Sequence, residues 1–230
     1  MYPKLEIELR ESDYDDARQK WRDWLKEVEA TLVGLVLDEF IFRRSVEVAS
    51  SSGVAEAHRE VFHWVHRIYA THAAITLRRL LDSDDQTYSL LGLLSAIHRN
   101  PQVITREEFV STYPNEVPSS FAHRDFDQLA GEGEPHLPKS IVHNDIARME
   151  SLADRIRPLV DQVVAHHDRN PGDIPPISWD DLKDITEQLE CMCIRYNFIL
   201  NHYALPNLMP TINRNRAETQ IQQMFSVEAT

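Results

Sequence analysis

Residues 178–203 read SWDDLKDITEQLECMCIRYNFILNHY, and the spacing of their apolar side chains decides the fold. Leu182, Ile185, Leu189, Met192, Tyr196, Ile199 and Tyr203 recur at alternating intervals of three and four, which is the repeat of one face of an α-helix. Charged and amide side chains fill most of the positions between them, so the segment predicts an amphipathic helix with one face against a core. Ser178, with Asp181 three residues later, has the layout of an N-cap followed by an acid that complements the helix dipole.

The same periodicity extends outward in both directions. Ser12, with Asp15 at its third following position, reads as the cap of a helical segment running to about Ser50, either one very long helix or a hairpin broken near Thr31 to Gly34. From about Val54 to Leu81, Val61, Trp64, Val65, Ile68, His72 and Ile75 trace one face, while Phe62, Tyr69, Ala73 and Leu80 trace another. A helix apolar on two faces is expected inside a bundle. Asp82 to Gln86 is a polar turn, and Thr87 is the expected cap of a short helix through Leu90, Leu91, Leu94 and Ile97 that Asn100 and Pro101 end. A further run, about Ile141 to His167, carries Leu152, Ile156, Leu159 and Val163, with a kink expected at Pro158.

Between these runs the composition shifts. Residues 101–139 hold Pro101, Pro114, Pro118, Pro135, Pro138, Gly131 and Gly133 around short helical pieces, one opened by the capping box Thr105 to Glu108. This stretch is expected to be an insertion or lid. Residues 205–230 read as a polar, loosely held tail. The expectation is therefore an all-α protein, an antiparallel helical bundle with a Pro-rich insertion, forming one domain over residues 1–204.

Composition narrows the function classes. A net charge of -13 argues against a broad basic face for duplex nucleic acid, although a small basic pocket is compatible with it. No apolar run reaches the ~18–20 residues of a membrane span, and the N-terminal MYPKLEIELRESD lacks the layout of a signal peptide, so a cytoplasmic protein is expected. Cys191 and Cys193 lie two apart in a helical pattern, where their side chains diverge by about 200° and cannot bridge. They are expected to be core thiols.

The chemistry-bearing segment is Val163-Val164-Ala165-His166-His167-Asp168-Arg169, an apolar helix end carrying histidines, an acid and a base. A histidine near helix C-terminal carbonyls is favoured as imidazolium and suits general acid–base work on a ribose 2′-hydroxyl. The competing reading is a histidine that simply caps the helix. His58, His63, His66 and His72 suggest a metal, but ligands from one helix rarely suffice, and surface or core histidines are the simpler reading. Asp15-Asp16, Asp84-Asp85 and Asp180-Asp181 fall at helix starts and are explained by capping. Arg78 and Arg79 before Asp82 fit a phosphate site or, more simply, a helix ion pair. Phosphate-binding glycine loops, dinucleotide fingerprints and nucleophile elbows are missing, and no cofactor is expected.

Leu80-Leu81-Asp82 followed by Tyr88-Ser89-Leu90, and later Ala165-His166-x-Asp168-Arg169, resembles the abortive-infection branch of the HEPN superfamily over roughly Val54 to Tyr203. The resemblance implies a helical bundle, usually a homodimer, whose active members are metal-independent ribonucleases of toxin–antitoxin and antiphage systems. The expected partners are RNA or a nucleotide and an antitoxin protein. The superfamily's nuclease motif is Arg-x(4–6)-His, with a polar residue after the arginine. Placed on His166, the window holds Asp161, Val160 and Leu159 and no arginine. Asp161 matches the polar position. Arg155, eleven residues before His166, returns to within about 20° of its face. The resemblance therefore implies His166 as acid/base, Asp161 as its helper and Arg155 as the candidate cation, with Arg79, Asp82, His167, Asp168 and Arg169 as candidate binding residues. Its alternative is a HEPN-like bundle that binds a partner without catalysis.

Overall fold

A computed structural model describes residues 9–84, 86–158, 160, 178–209 and 211–226. Among them are nine α-helices and no strand, apart from an isolated bridge between Thr105 and His136. In chain order they are α1 (Tyr14–Ser51), α2 (Val54–Ala57), α3 (Arg59–Leu80), α4 (Leu90–Arg99), α5 (Arg106–Ser111), α6 (Ser119–Ala130), α7 (Lys139–Pro158), α8 (Trp179–Asn201) and α9 (Thr211–Ser226). The protein is an all-α helical bundle. His166, His167, Asp168, Arg169 and Asp161 lie outside the described residues.

The segment that decides the fold forms α8 as its periodicity requires. Leu182, Ile185, Leu189, Met192, Tyr196 and Ile199 are all buried, and Tyr203, past the helix end, is exposed. Its cap forms as well: the Asp181 N–H donates to Ser178 Oγ at 3.1 Å, and the Ser178 N–H donates to the Asp181 carboxylate at 2.9 Å.

The described residues pack as two compact units, each assembled from three separate stretches. The first takes those within 1–28, 80–154 and 191–206. Its core gathers Trp21, Trp24 and Leu25 of α1, Leu90, Leu93, Leu94 and Ile97 of α4, Phe109 of α5, Phe126 of α6 and Tyr196 of α8. The Phe109 ring lies 5.3 Å from Phe126 and 5.6 Å from Phe198, centroid to centroid, distances suited to tilted and edge-on aromatic packing. The Pro-rich stretch 101–139 belongs wholly to this unit and buries Val103, Ile104, Phe109, Ala122, Phe126, Ala130 and Leu137. The second unit takes the described residues within 29–79, 155–190 and 207–230. It buries Leu32, Leu35, Phe42 and Ala49 of α1 with Ala73, Ala74 and Leu77 of α3 and Leu182, Ile185 and Leu189 of α8. Phe42 stacks on Tyr69 at 4.2 Å, with Trp179 5.1 Å away.

Several local expectations are corrected. Ser12 does not cap α1; its hydroxyl donates to Asp13 within a 3-10 turn over Glu11–Asp13, and the helix begins at Tyr14. Thr87 does not cap α4. Ser89 does, accepting from the Gly92 N–H at 3.0 Å, while the Thr87 hydroxyl donates to the Asp84 carbonyl. Of the two forms open to the segment up to Ser50, the single long helix is the one present: α1 runs unbroken through Gly34, because the roughly 1 kcal/mol cost of a helical glycine is small beside the burial of Leu32 and Leu35. Cys193 is buried but Cys191 is exposed. Residues 211–226 form α9, whose Ala217 and Ile221 are buried and whose Glu218 pairs with Arg44 at 2.8 Å, where the sequence reads only a polar tail.

Helix α3 departs furthest from expectation. It is not enclosed: Ala73, Ala74, Leu77 and Leu80 are buried, but Val61, Trp64, Ile68 and Ile75 remain 56, 53, 52 and 49% exposed. Periodicity shows which face is apolar, and only packing shows which face has a partner.

Candidate functional site

The last two turns of α8 deliver Arg195, Tyr196 and Asn197, and the first residue beyond the helix is His202. Arg195 Nη1 donates to Asp145 Oδ1 at 3.1 Å, and the Tyr196 hydroxyl donates to Asp145 Oδ2 at 3.0 Å. Asp145, on α7, is buried and would be costly there without both donors. Burial pushes the Tyr196 phenol well up, and the Asp145 charge and hydrogen bond push it further the same way. Arg195 is about one third exposed, with a side-chain exposure of 31%.

His202 sits at φ 61°, the only non-glycine positive φ among the described residues. Its N–H donates to the Phe198 carbonyl at 3.1 Å, closing the last turn from the left-handed position that glycine or asparagine usually fills. Nε2 lies 3.3 Å from Glu108 Oε1 on α5 and 3.3 Å from Arg22 Nη2 on α1. The ring meets the Phe109 face edge-on at 5.1 Å, and Nδ1 is buried with no hydrogen-bond partner. Arg22 also donates to the Leu200 carbonyl at 2.7 Å and to Glu108 at 2.8 Å, while Arg18 donates to the Val103 carbonyl at 2.6 Å. Burial raises the Glu108 carboxyl, but the hydrogen bond and charge of His202, with Arg18 and Arg22, outweigh it and leave the group below its ordinary range. The end of α8 is thus a charged cluster of two arginines, one carboxylate and one imidazole.

Arg195 and His202 are seven positions apart, with six residues between them, and so satisfy Arg-x(4–6)-His. On an ideal helix that separation returns to within about 20° of one face, about 10.5 Å along the axis. Counting back from His166 misses this pair; counting back from His202 finds it. Within the unit the two side chains answer to different partners, Asp145 for Arg195 and Glu108 for His202.

The other candidate residues are dispersed. Arg155 donates to Asp184 at 2.8 Å and to Asp181 at 2.9 Å, so its guanidinium is already held by two carboxylates. Arg79 donates to Thr31 Oγ1 at 3.1 Å. Asp82 accepts from the Asp84 N–H at 3.1 Å, and its carbonyl accepts from the Ser89 hydroxyl at 2.6 Å. Of the α3 histidines, His66 lies edge-on to Phe42 and Trp179, and burial lowers its pKa, with His63 adding to the shift. His72 pairs with Asp38 at 3.1 Å. Among the described residues no group of three His, Cys, Asp or Glu side chains is placed to hold a metal. None of their helices is long and apolar enough to cross a membrane.

A HEPN family model described as AbiU2 matches residues 18–219. No curated protein and no solved structure matches the chain significantly.

Proposed function

The chain belongs to the HEPN AbiU2 family, an abortive-infection, defence-type class, and on that footing we propose that it is a metal-independent endoribonuclease acting through His202 and Arg195. The observation that carries this reading is the pair itself: Arg-x(6)-His at the end of α8, the histidine held at φ 61° beside a carboxylate and an arginine. Backbone strain of this kind concentrates where geometry serves function. In the reaction the imidazole removes the proton of a ribose 2′-hydroxyl, the oxygen attacks the adjacent phosphorus, and the 5′-oxygen leaves with a proton. The Arg195 guanidinium, on a side chain 31% exposed, offsets the charge developing on phosphate.

We propose α3 as the contact face of the dimer that the family resemblance implies. Val61, Trp64, Ile68 and Ile75 form an apolar stripe about 21 Å long whose side chains stay about half exposed, and a second copy is its proposed occupant. A toxin of this class also requires a neutralising protein, and an antitoxin is the proposed partner in the cell.

A specific observation favours the second reading, a bundle that binds RNA, a nucleotide or a protein without cutting. The His202 side chain is only 9% exposed, with Nε2 engaged by Glu108 and Nδ1 buried. Cleavage of labelled RNA in EDTA separates the two. His202→Asn keeps the left-handed backbone position and removes the titrating ring, and Arg195→Lys keeps a cation for Asp145. Losses of about 100-fold or more in both are expected, the range of general acid–base contributions. Full activity in His202→Asn with loss in His166→Ala would return the site to the 163–169 segment, and no cleavage by the folded wild type would favour binding without chemistry.

A further inference from the structure

The first unit contains a cavity of about 450 Å³ between the start of α1 and the end of α4, well away in sequence from Arg195 and His202. Its size falls within the range of small-ligand pockets. Trp21 and Trp24, both buried, supply aromatic surface, and Lys20, Arg99, Asn100 and Asp16 supply polar groups.

Three features of this lining point to one ligand chemistry. The first is an excess of donors. Trp24 Nε1 is buried and donates to nothing, and a buried unsatisfied N–H is uncommon. Asn100 uses Oδ1 to accept from the Leu9 N–H at 3.0 Å and from Gln102 at 3.4 Å, which leaves its amide N–H groups to donate. The second is charge. Neither Lys20 nor Arg99 is in an ion pair with a described residue, in a protein that carries 37 acidic side chains against 24 basic ones. Of the two acids at the rim, Asp13 is answered by Arg10 at 3.3 Å and by the Ser12 hydroxyl at 3.0 Å, leaving two cations against the carboxylate of Asp16. The third is shape: two indoles in the wall favour a flat ring.

We propose that this cavity is a binding site for a small planar aromatic anion, a ring bearing a carboxylate or phosphate, with the ring against Trp21 and Trp24 and the anionic group on Lys20 and Arg99. The Trp24 N–H meets an acceptor on the ring or its substituent. The site is independent of the proposed ribonuclease chemistry and of the α3 contact.

Calorimetric titration of the full chain tests it, with adenosine 5′-monophosphate and indole-3-acetate as the two ring-bearing anions. Adenosine and indole serve as uncharged controls, and inorganic phosphate and acetate as controls without rings. Saturable binding of at least one ring-bearing anion is expected, with both kinds of control at least tenfold weaker; which anion binds tells phosphate from carboxylate. Arg99→Gln and Lys20→Gln, both at exposed positions, should each weaken it about ten- to a hundredfold with an unchanged melting temperature, as removal of a charged hydrogen bond does. Lys26→Gln, outside the cavity, should leave it unchanged. Trp24→Phe tests the indole N–H, and the glutamine variants stand in for it if it fails to fold. Absence of saturable binding by either anion, equal binding of inorganic phosphate, or full affinity in Arg99→Gln overturns the proposal.

Discussion

Asp145 illustrates how a buried charge is tolerated: one side chain, two oxygens, and a donor for each from adjacent residues of α8. Tyr196→Phe removes only a hydroxyl, leaves Oδ2 unanswered, and should lower the unfolding free energy by about 1–3 kcal/mol in a urea titration. Gly92 is a second residue with little latitude, because a Cβ there would lie 2.7 Å from Ser89 Oγ and 3.0 Å from the Trp24 ring. Gly92→Ala should therefore destabilise the fold by about 1–3 kcal/mol in the same assay, against the usual gain from adding alanine to a helix. At this scale legibility is uneven. Ser178 and Asp181 were readable because both halves of that cap lie within four residues. Ser12 and Thr87 carry a cap signal that the structure does not use, because neighbouring hydroxyls and carboxylates compete for the same amides and sequence does not rank them. The Arg195 and His202 pair is present in the sequence as a spacing, but it lies on a helix whose dominant signal is the apolar stripe through Tyr196 and Ile199, and His166 and His167 carry a second, equally local histidine signal.

Helices show the opposite balance. The three-four repeat of α8, the runs of α1 and α3 and the proline punctuation after Asn100 were legible, since each is a local pattern. The orientation of α3 was not, because its two apolar faces look alike in sequence and only one meets Ala73-level packing in the second unit. If the exposed face meets a second copy, Trp64→Glu or Ile68→Glu should shift the protein from dimer to monomer in sedimentation equilibrium, at unchanged far-ultraviolet circular dichroism. A wild type that is monomeric at tens of micromolar would remove the assignment. α9 does not stand out from a polar tail because, among its residues with described side chains, Ala217 and Ile221 alone are buried, too sparse a signal.

Across the molecule, acid stability follows from a few paired carboxylates. Asp127 is held below its ordinary 3.8 chiefly by the hydrogen bond from Arg106, Asp181 by the Ser178 backbone and side chain with Arg155 behind them, and Asp184 by Arg155. A carboxylate whose folded pKa is depressed contributes stability in full above its unfolded pKa and loses it as pH falls toward the folded one. Glu39 has the reverse sign, since burial pushes its carboxyl up and its contribution declines as pH rises. The melting temperature should therefore fall as pH drops below about 4.5, and Arg106→Gln should flatten that fall in scanning calorimetry. Such a whole-molecule property depends on which segments meet, and sequence order conceals this: both units are interleaved along the chain. The interleaving bears on synthesis. Arg22 and His202, which meet across the charged cluster, are separated by 180 positions. At about 5–20 residues per second, roughly 10–40 s pass between their additions on the ribosome, and a growing chain has no complete cluster until translation has passed the end of α8. On the proposed reading, a nascent copy would thus stay inert until residue 202 is in place, and a message cut short before codon 202 would yield a product without the proposed chemistry.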